Sequence, residues 1–184
     1  MARVSTLLAH QIPADAPKAR AIFEKVESEY GAFGNMLGVL AHRPASIEHL
    51  YGLLLQFAAE GNISRLHLEI VLVTASRANE CSYCVSHHAP KLAAQHVPAE
   101  TVERILDADV PGLGPVELLV RDYALAVTRQ RVGDSLVARL REHFSESQVV
   151  ELTLRAALCA FFARFNEALD VKLEPEYLTT DVAA

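Results

Sequence analysis

Two of the chain's three cysteines and two of its eight histidines fall within nine residues, Glu80-Cys81-Ser82-Tyr83-Cys84-Val85-Ser86-His87-His88. Residues of these types, so closely spaced, point first to thiol chemistry. A helix beginning near Ser82 places Cys81, Cys84 and His88 on one stripe, because steps of three and then four residues return to the same face. Cys84 and His88 are then i,i+4 neighbours. The unpaired N–H groups and positive partial charge of a helix N-terminus favour a thiolate over a thiol, and an imidazole one turn further on accepts the proton. The spacing therefore describes a thiol that ionises near neutral pH.

A C-x-x-C pair also serves other chemistries. Half a zinc site is one, but no second C-x-x-C follows, so a closed site needs Cys81, Cys84, His88 and a distant fourth ligand. Covalent haem attachment requires histidine directly after the second cysteine, and Val85 stands there. Residues Met1 to Ile12 offer only Leu7, Leu8 and Ala9 as an apolar run, which is no secretory signal and argues against a purely structural disulfide.

Glu69 sits in Leu66-His67-Leu68-Glu69-Ile70-Val71-Leu72-Val73, where apolar residues surround the helix as in an interior position. A buried ionised carboxylate costs roughly several kcal/mol unless it is paired, and burial tends to raise its pKa into a range useful for proton transfer. Two arrangements answer that cost. One is a proton relay with His88 and the cysteines, since the two helices join near Asn79. The other is a salt bridge to Arg65 at i−4, or to Arg155 or Arg164. Glu80 reads as a solvated residue, and His87 lies about 100° around the helix from His88. Tyr83 points off the cysteine stripe, where it can line a substrate pocket, and Cys159 reads as a small buried hydrophobe.

The elements that must position these groups are helical. Almost every periodic segment repeats at 3.6 residues, with no alternating strands between hairpin turns, so an all-α fold is expected. Helices are expected over 17–30, stopped by Gly31, over 34–40, and from a Ser46 cap to Glu60 with Gly61 as the stop. The next runs from Ser64 to Ala78 and leads into the cysteine helix, where Pro90 should kink or restart the chain. Pro98 and Pro115 open helices towards Leu106 and Arg129, and Asp134 caps another. Ser145 with Gln148 makes a capping box before the apolar run 149–169. Ser64 and Ser145 each precede a helix with a glutamate, Glu69 or Glu151, a turn or so in. No linker marks a boundary, so a single domain over 1–184 is expected, with C-terminal helices over about 115–170.

Apolar residues make up 51% of the chain and charged residues 22%, enough for a substantial core and an oligomer interface besides. The net charge of −6, with no local cluster of Lys or Arg, argues against binding nucleic acid or an anionic membrane surface. No apolar stretch reaches membrane-spanning length, and three cysteines without a signal suggest a cytoplasmic protein.

Glu69, eleven intervening positions, Cys81-x-x-Cys84, three more and His88 form a pattern that resembles the alkylhydroperoxidase AhpD family, within the carboxymuconolactone decarboxylase superfamily. The likeness takes in Gly34-Asn35-Met36, His42-Arg43-Pro44 and Ser64-Arg65, covering about 30–92. Phe165-Asn166-Glu167 is similar to the peroxidase-related members. The resemblance implies an AhpD-like helical bundle that assembles as a dimer, trimer or hexamer and reduces hydroperoxides without a cofactor. It implies Cys84 as the peroxidatic thiol, Cys81 as proton donor and resolving thiol, and His88 and Glu69 as the relay. It also implies an external dithiol reductant, either a lipoyl-bearing or a thioredoxin-like protein. Tyr83 departs from the pattern, standing where the family's best-known peroxidase has a second histidine. Further functions compatible with the motif are general thiol–disulfide exchange, redox sensing and zinc binding. A lactone decarboxylase fits the superfamily but makes no use of a C-x-x-C pair.

Overall fold

The computed structural model describes residues 2–30 and 33–178, so the expected stop at Gly31 lies outside the described residues. The fold is all-α, with no strand among the described residues. The chain divides into two compact units, Met1–Asn62 with Asn166–Ala184, and Ile63–Phe165.

The first unit contains α1 (Pro17–Tyr30), α2 (Gly34–Leu40), α3 (Pro44–Ser46) and α4 (Gly52–Glu60). Ala19, Phe23 and Val26 of α1 are buried at i, i+4 and i+7, the single stripe of a half-buried helix. In α2 every residue from Met36 to Leu40 is buried. Gly38 is required there: its carbonyl accepts the Leu7 N–H at 3.0 Å, and a Cβ would meet the Leu7 oxygen at 2.7 Å. The stretch expected to start at a Ser46 cap is built differently. Pro44 occupies the first helical turn, a π-type turn spans Ile47–Tyr51, and the Ser46 hydroxyl instead donates to the Arg43 carbonyl at 2.7 Å. Proline at that position already supplies the helical φ and wastes no donor, so no serine cap is needed. Gly61, at φ 61°, ends α4 as expected.

The second unit holds α5 (Arg65–Ala78), α6 (Ser82–Ala93), α7 (Ala99–Glu103), α8 (Pro115–Thr128), α9 (Asp134–Arg141) and most of α10 (Glu146–Leu169). Ser64 caps α5 by accepting the His67 N–H at 3.2 Å. Ser145 and Gln148 form both reciprocal bonds of the expected capping box, at 2.9 and 3.3 Å. Two expectations fail locally. Gly133, not Asp134, is the N-cap of α9, and α7 ends at Glu103 rather than near Leu106. Ile70, Val71, Leu92, Ile105, Val120, Leu140 and Leu152 form the centre of this unit's core. Each such side chain stabilises the fold by about 1.5–3 kcal/mol through burial. α5 packs against α6 and α8, which explains why its apolar residues run all round it.

The α5–α6 junction positions the cysteines. Beyond the C-cap Asn79, Glu80 takes a left-handed conformation at φ 55°. The Glu80 N–H donates to the Arg77 carbonyl and the Cys81 N–H to the Ser76 carbonyl, both at 3.0 Å, which closes α5 as a Schellman turn. A residue with a Cβ is strained in that conformation, whereas glycine is not. Glu80→Gly is therefore expected to stabilise the oxidised protein by about 0.5–1 kcal/mol, read as a rise in the urea midpoint. A lowered midpoint would show that the exposed Glu80 side chain holds the turn by a contact of its own.

Candidate dithiol site

Cys81 is the N-cap of α6, and its Sγ accepts the Cys84 N–H at 3.2 Å. Cys84 therefore lies within the first turn, where the helix end favours negative charge on sulfur. The two are joined as a disulfide across a Cα–Cα distance of 5.3 Å, the oxidised form of the pair. Both side chains are buried, at 8% and 4% exposure.

α6 runs through Pro90 to Ala93 as one helix, so the chain does not restart there. The reason lies in which way the proline faces. Pro90 is exposed and Ser86 only half-buried, so the carbonyl that loses its donor lies towards solvent. His88 accordingly keeps its helical place four residues after Cys84. Its Nδ1 lies 3.0 Å from Oε2 of Glu69, although nineteen residues separate them. The other carboxylate oxygen of Glu69 receives Nη2 of Arg65 at 2.8 Å. Of the two partners foreseen for Glu69, the structure supplies both at once, one to each oxygen. Arg155 is paired instead with Glu151 at 3.1 Å, and Arg164 bonds the Ala160 carbonyl.

The protonation states follow from these contacts. Burial pushes the Glu69 carboxyl up, as the sequence suggested, but the His88 hydrogen bond and the charges of His88, Arg65 and Lys91 outweigh it and leave the group below its ordinary value. For His88, burial is the largest influence and lowers the imidazole's pKa despite the opposing pull of Glu69. The pair thus rests as carboxylate and neutral imidazole. Nδ1–H donates to Glu69, and the ring's basic lone pair is then on Nε2.

The neighbouring aromatic groups Tyr83 and His87 pack on each other. His87 is fully buried and its Nδ1 donates to the Tyr83 carbonyl at 2.7 Å. The Tyr83 ring, only 4% exposed, lies 4.4 Å from the His87 ring. Cys159 is buried beside the Ser76 hydroxyl, and burial pushes its thiol up to about 11, so it stays protonated. Among the described residues, no three His, Cys, Asp or Glu side chains converge as a metal site. One residue near the site escaped the sequence reading. Lys91 lies three residues past His88, on the stripe of Cys81, Cys84 and His88, and interacts electrostatically with Glu69 and Arg65. Its i+3 spacing was visible, but only an unbroken helix through Pro90 gives that spacing meaning.

The site is a buried cysteine pair at a helix start, beside a paired carboxylate and imidazole. Residues 45–130 match the carboxymuconolactone decarboxylase family. The uncharacterised protein YdfG of Bacillus subtilis is 28% identical over 106 residues, which is 54% of this chain and 70% of that one. The uncharacterised protein YnjA of Escherichia coli is 33% identical over 94 residues, 50% of this chain and 52% of that one, so the match spans about half of its length. A solved peroxidase-related protein from Ralstonia eutropha, described as an alkylhydroperoxidase AhpD core, superposes with a TM-score of 0.78 at 22% identity, covering 96% of this chain and 94% of its own. The debrominase Bmp8 superposes with a TM-score of 0.74 at 22% identity, over 95% and 94% of the two chains. Residues 45–130 thus carry the likeness to the carboxymuconolactone decarboxylase family, and the fold of the chain is AhpD-like.

Proposed function

We propose that this protein reduces hydroperoxides with the Cys81–Cys84 dithiol and is re-reduced by an external dithiol. The observation that carries the proposal is the 3.0 Å contact between Glu69 and His88, on the same helix face as Cys84. Neutral His88 takes the Cys84 proton while Glu69 stabilises the imidazolium that results. The Cys84 thiolate attacks the terminal peroxide oxygen, the O–O bond breaks, and the proton passes to the departing alkoxide. This leaves Cys84 as a sulfenic acid and releases alcohol. Cys81 then displaces water from that sulfenic acid and forms the disulfide seen in the structure. A lipoyl-bearing or thioredoxin-like dithiol reopens it by exchange, and its own two thiols become a disulfide.

A cytoplasmic setting suits this chemistry, because the cycle needs a reducing supply of dithiol. No helix among the described residues is long and apolar enough to cross a membrane. Assembly as a homo-oligomer, a dimer, trimer or hexamer, is supported by the exposed stripe of Val150, Leu154 and Phe161 along α10. The debrominase among the structural neighbours favours one further reading, in which the same two electrons pass to an acceptor other than a peroxide.

The test is mass spectrometry of the reduced protein during titration with an organic hydroperoxide. The Cys81–Cys84 peptide is expected to lose two hydrogens in step with peroxide consumed, and repeatedly when dithiol is supplied. Oxidation no faster than that of a free thiol would sink the peroxidase reading, and a single oxidation without turnover would make the protein a sensor.

A further inference from the structure

Arg65 stands where a helix has no use of its own for a cation. It is the first residue of α5 after the Ser64 cap, at the positive end of the helix, and an arginine four residues before a glutamate is the weaker order for such a pair. Its reason for being there lies in what it touches. Nη2 reaches Oε1 of Glu69 at 2.8 Å, from a side chain 45% exposed to a carboxylate 1% exposed. The Ser64 cap, closed by the His67 N–H at 3.2 Å, fixes the start of the helix and so sets Arg65 one turn before Glu69.

The two oxygens of Glu69 carry different tasks. Oε1 takes the Arg65 guanidinium, and Oε2 faces Nδ1 of His88 at 3.0 Å. With one oxygen held, the carboxylate cannot turn freely, and its second oxygen stays directed at the imidazole. The charge of Arg65 also sets how strongly the pair takes up a proton. A carboxylate facing only an imidazole draws a proton onto that ring, whereas a guanidinium on its other oxygen weakens the pull. Further charges face Glu69 from each neighbouring element. Lys91 and His87 stand on α6, and Lys91 acts on both Glu69 and His88. Arg155 of α10 feels Glu69 while paired with Glu151 at 3.1 Å, and the Ser76–Cys159 contact places that helix against α5. From α8, Glu117 approaches His67 at 3.7 Å, and the Arg121 guanidinium bonds the carbonyls of Ile105 and Asp107. Arg65 bonds the carboxylate itself, so its removal acts on the pair at short range.

We propose that Arg65 is a positioning residue of the dithiol site: by holding one oxygen of Glu69 it aims the other at His88 and keeps that imidazole ready to accept a proton. Its part in catalysis rests on the peroxidase reading above and adds a residue to the support of the relay. His88 serves Cys84 only while Nε2 carries a lone pair, because a ring already protonated beside Glu69 has no place for the thiol proton. Glu69 must nevertheless stay ionised, since it stabilises the imidazolium once that proton arrives. Arg65 meets both needs. It keeps the buried carboxylate charged, and it moderates the pull of that charge on the ring. The thiol proton still passes from Cys84 to Nε2, and Arg65 acts only through Glu69.

The experiment follows the His88 ring proton by NMR across pH in the reduced full-length protein, with the signal identified by its loss in His88→Gln. In Arg65→Gln the pair is expected to take up its proton about one pH unit higher than in the unaltered protein, and Arg65→Lys should reverse most of that shift. The acid limb of the peroxide oxidation rate should move the same way, opposite to the shift expected when Glu69 itself is replaced. A titration that stays in place in Arg65→Gln, or moves to lower pH, would overturn the proposal even where peroxide reduction is fast. So would a uniform loss of rate at every pH with the limb unmoved, the mark of a role in folding alone. If the titration moves as expected while the unaltered protein oxidises no faster than a free thiol, the peroxidase reading falls and the hold of Arg65 on the pair stands.

Discussion

Cys84→Ser is expected to abolish rapid oxidation by hydroperoxide, by a factor of about a thousand or more, whereas Cys81→Ser should still react once and stop at a sulfenic acid. The asymmetry follows from what each sulfur has beside it. Cys84 has an imidazole one helical turn on, itself held by a carboxylate at 3.0 Å. Cys81, at the N-cap, has instead the Cys84 N–H at 3.2 Å. That bond favours a thiolate on Cys81, and in the helix-end argument taken alone the N-cap cysteine would be the attacking one. In the proposed mechanism the His88 base decides for Cys84, because the nucleophile must lose a proton and the leaving oxygen must gain one. A dimedone adduct, detected by mass spectrometry after peroxide treatment, reports where the sulfenic acid forms. An adduct on Cys81 in Cys84→Ser, formed as fast as in the unaltered protein, would reverse the order of the two thiols.

Much of this site was legible because its determinants are local. The start of α6, the Ser64 cap and the Ser145–Gln148 box depend on residues within one turn of each other, and side-chain hydrogen bonds secure both caps. The elements misjudged were those settled by burial. Pro90 reads as a break in the sequence, yet α6 continues through it with the proline on the exposed side, and the sequence does not say which side that is. The Ser46 start was displaced by Pro44, and a π-type turn that no local pattern announces follows it. Glu69 was legible as a buried carboxylate but not in its ionisation. Desolvation is a property of its own helix, while the His88 hydrogen bond and the Lys91 charge that help to overcome it are brought in by the packing of α6 on α5.

Removing either member of the relay should slow thiol oxidation by about a hundredfold or more without preventing the fold, and the two variants should differ in their dependence on pH. In Glu69→Gln the imidazole loses the partner that opposes its desolvation, so its pKa falls further and it becomes a weaker base. The plateau rate should drop, and the acid limb of the rate profile should move to lower pH. In His88→Gln the limb set by the imidazole should disappear. Stability supplies an independent readout. Folded His88 titrates below its ordinary value of 6.5, so the unfolded chain binds the proton more readily. Its contribution is fully present above about pH 6.5 and is lost as pH falls from there towards the folded value. Folded Glu69 likewise titrates below its ordinary 4.5, so its contribution is present above that value and is lost at lower pH, as the carboxylate protonates in the fold. Urea denaturation across this range should show the loss beginning near pH 6.5 in the unaltered protein and a reduced loss in His88→Gln. Unchanged oxidation rates in both variants would remove the relay from the mechanism, even if the stability profile behaved as expected. Glu69 and His88 would then serve only to join α5 to α6.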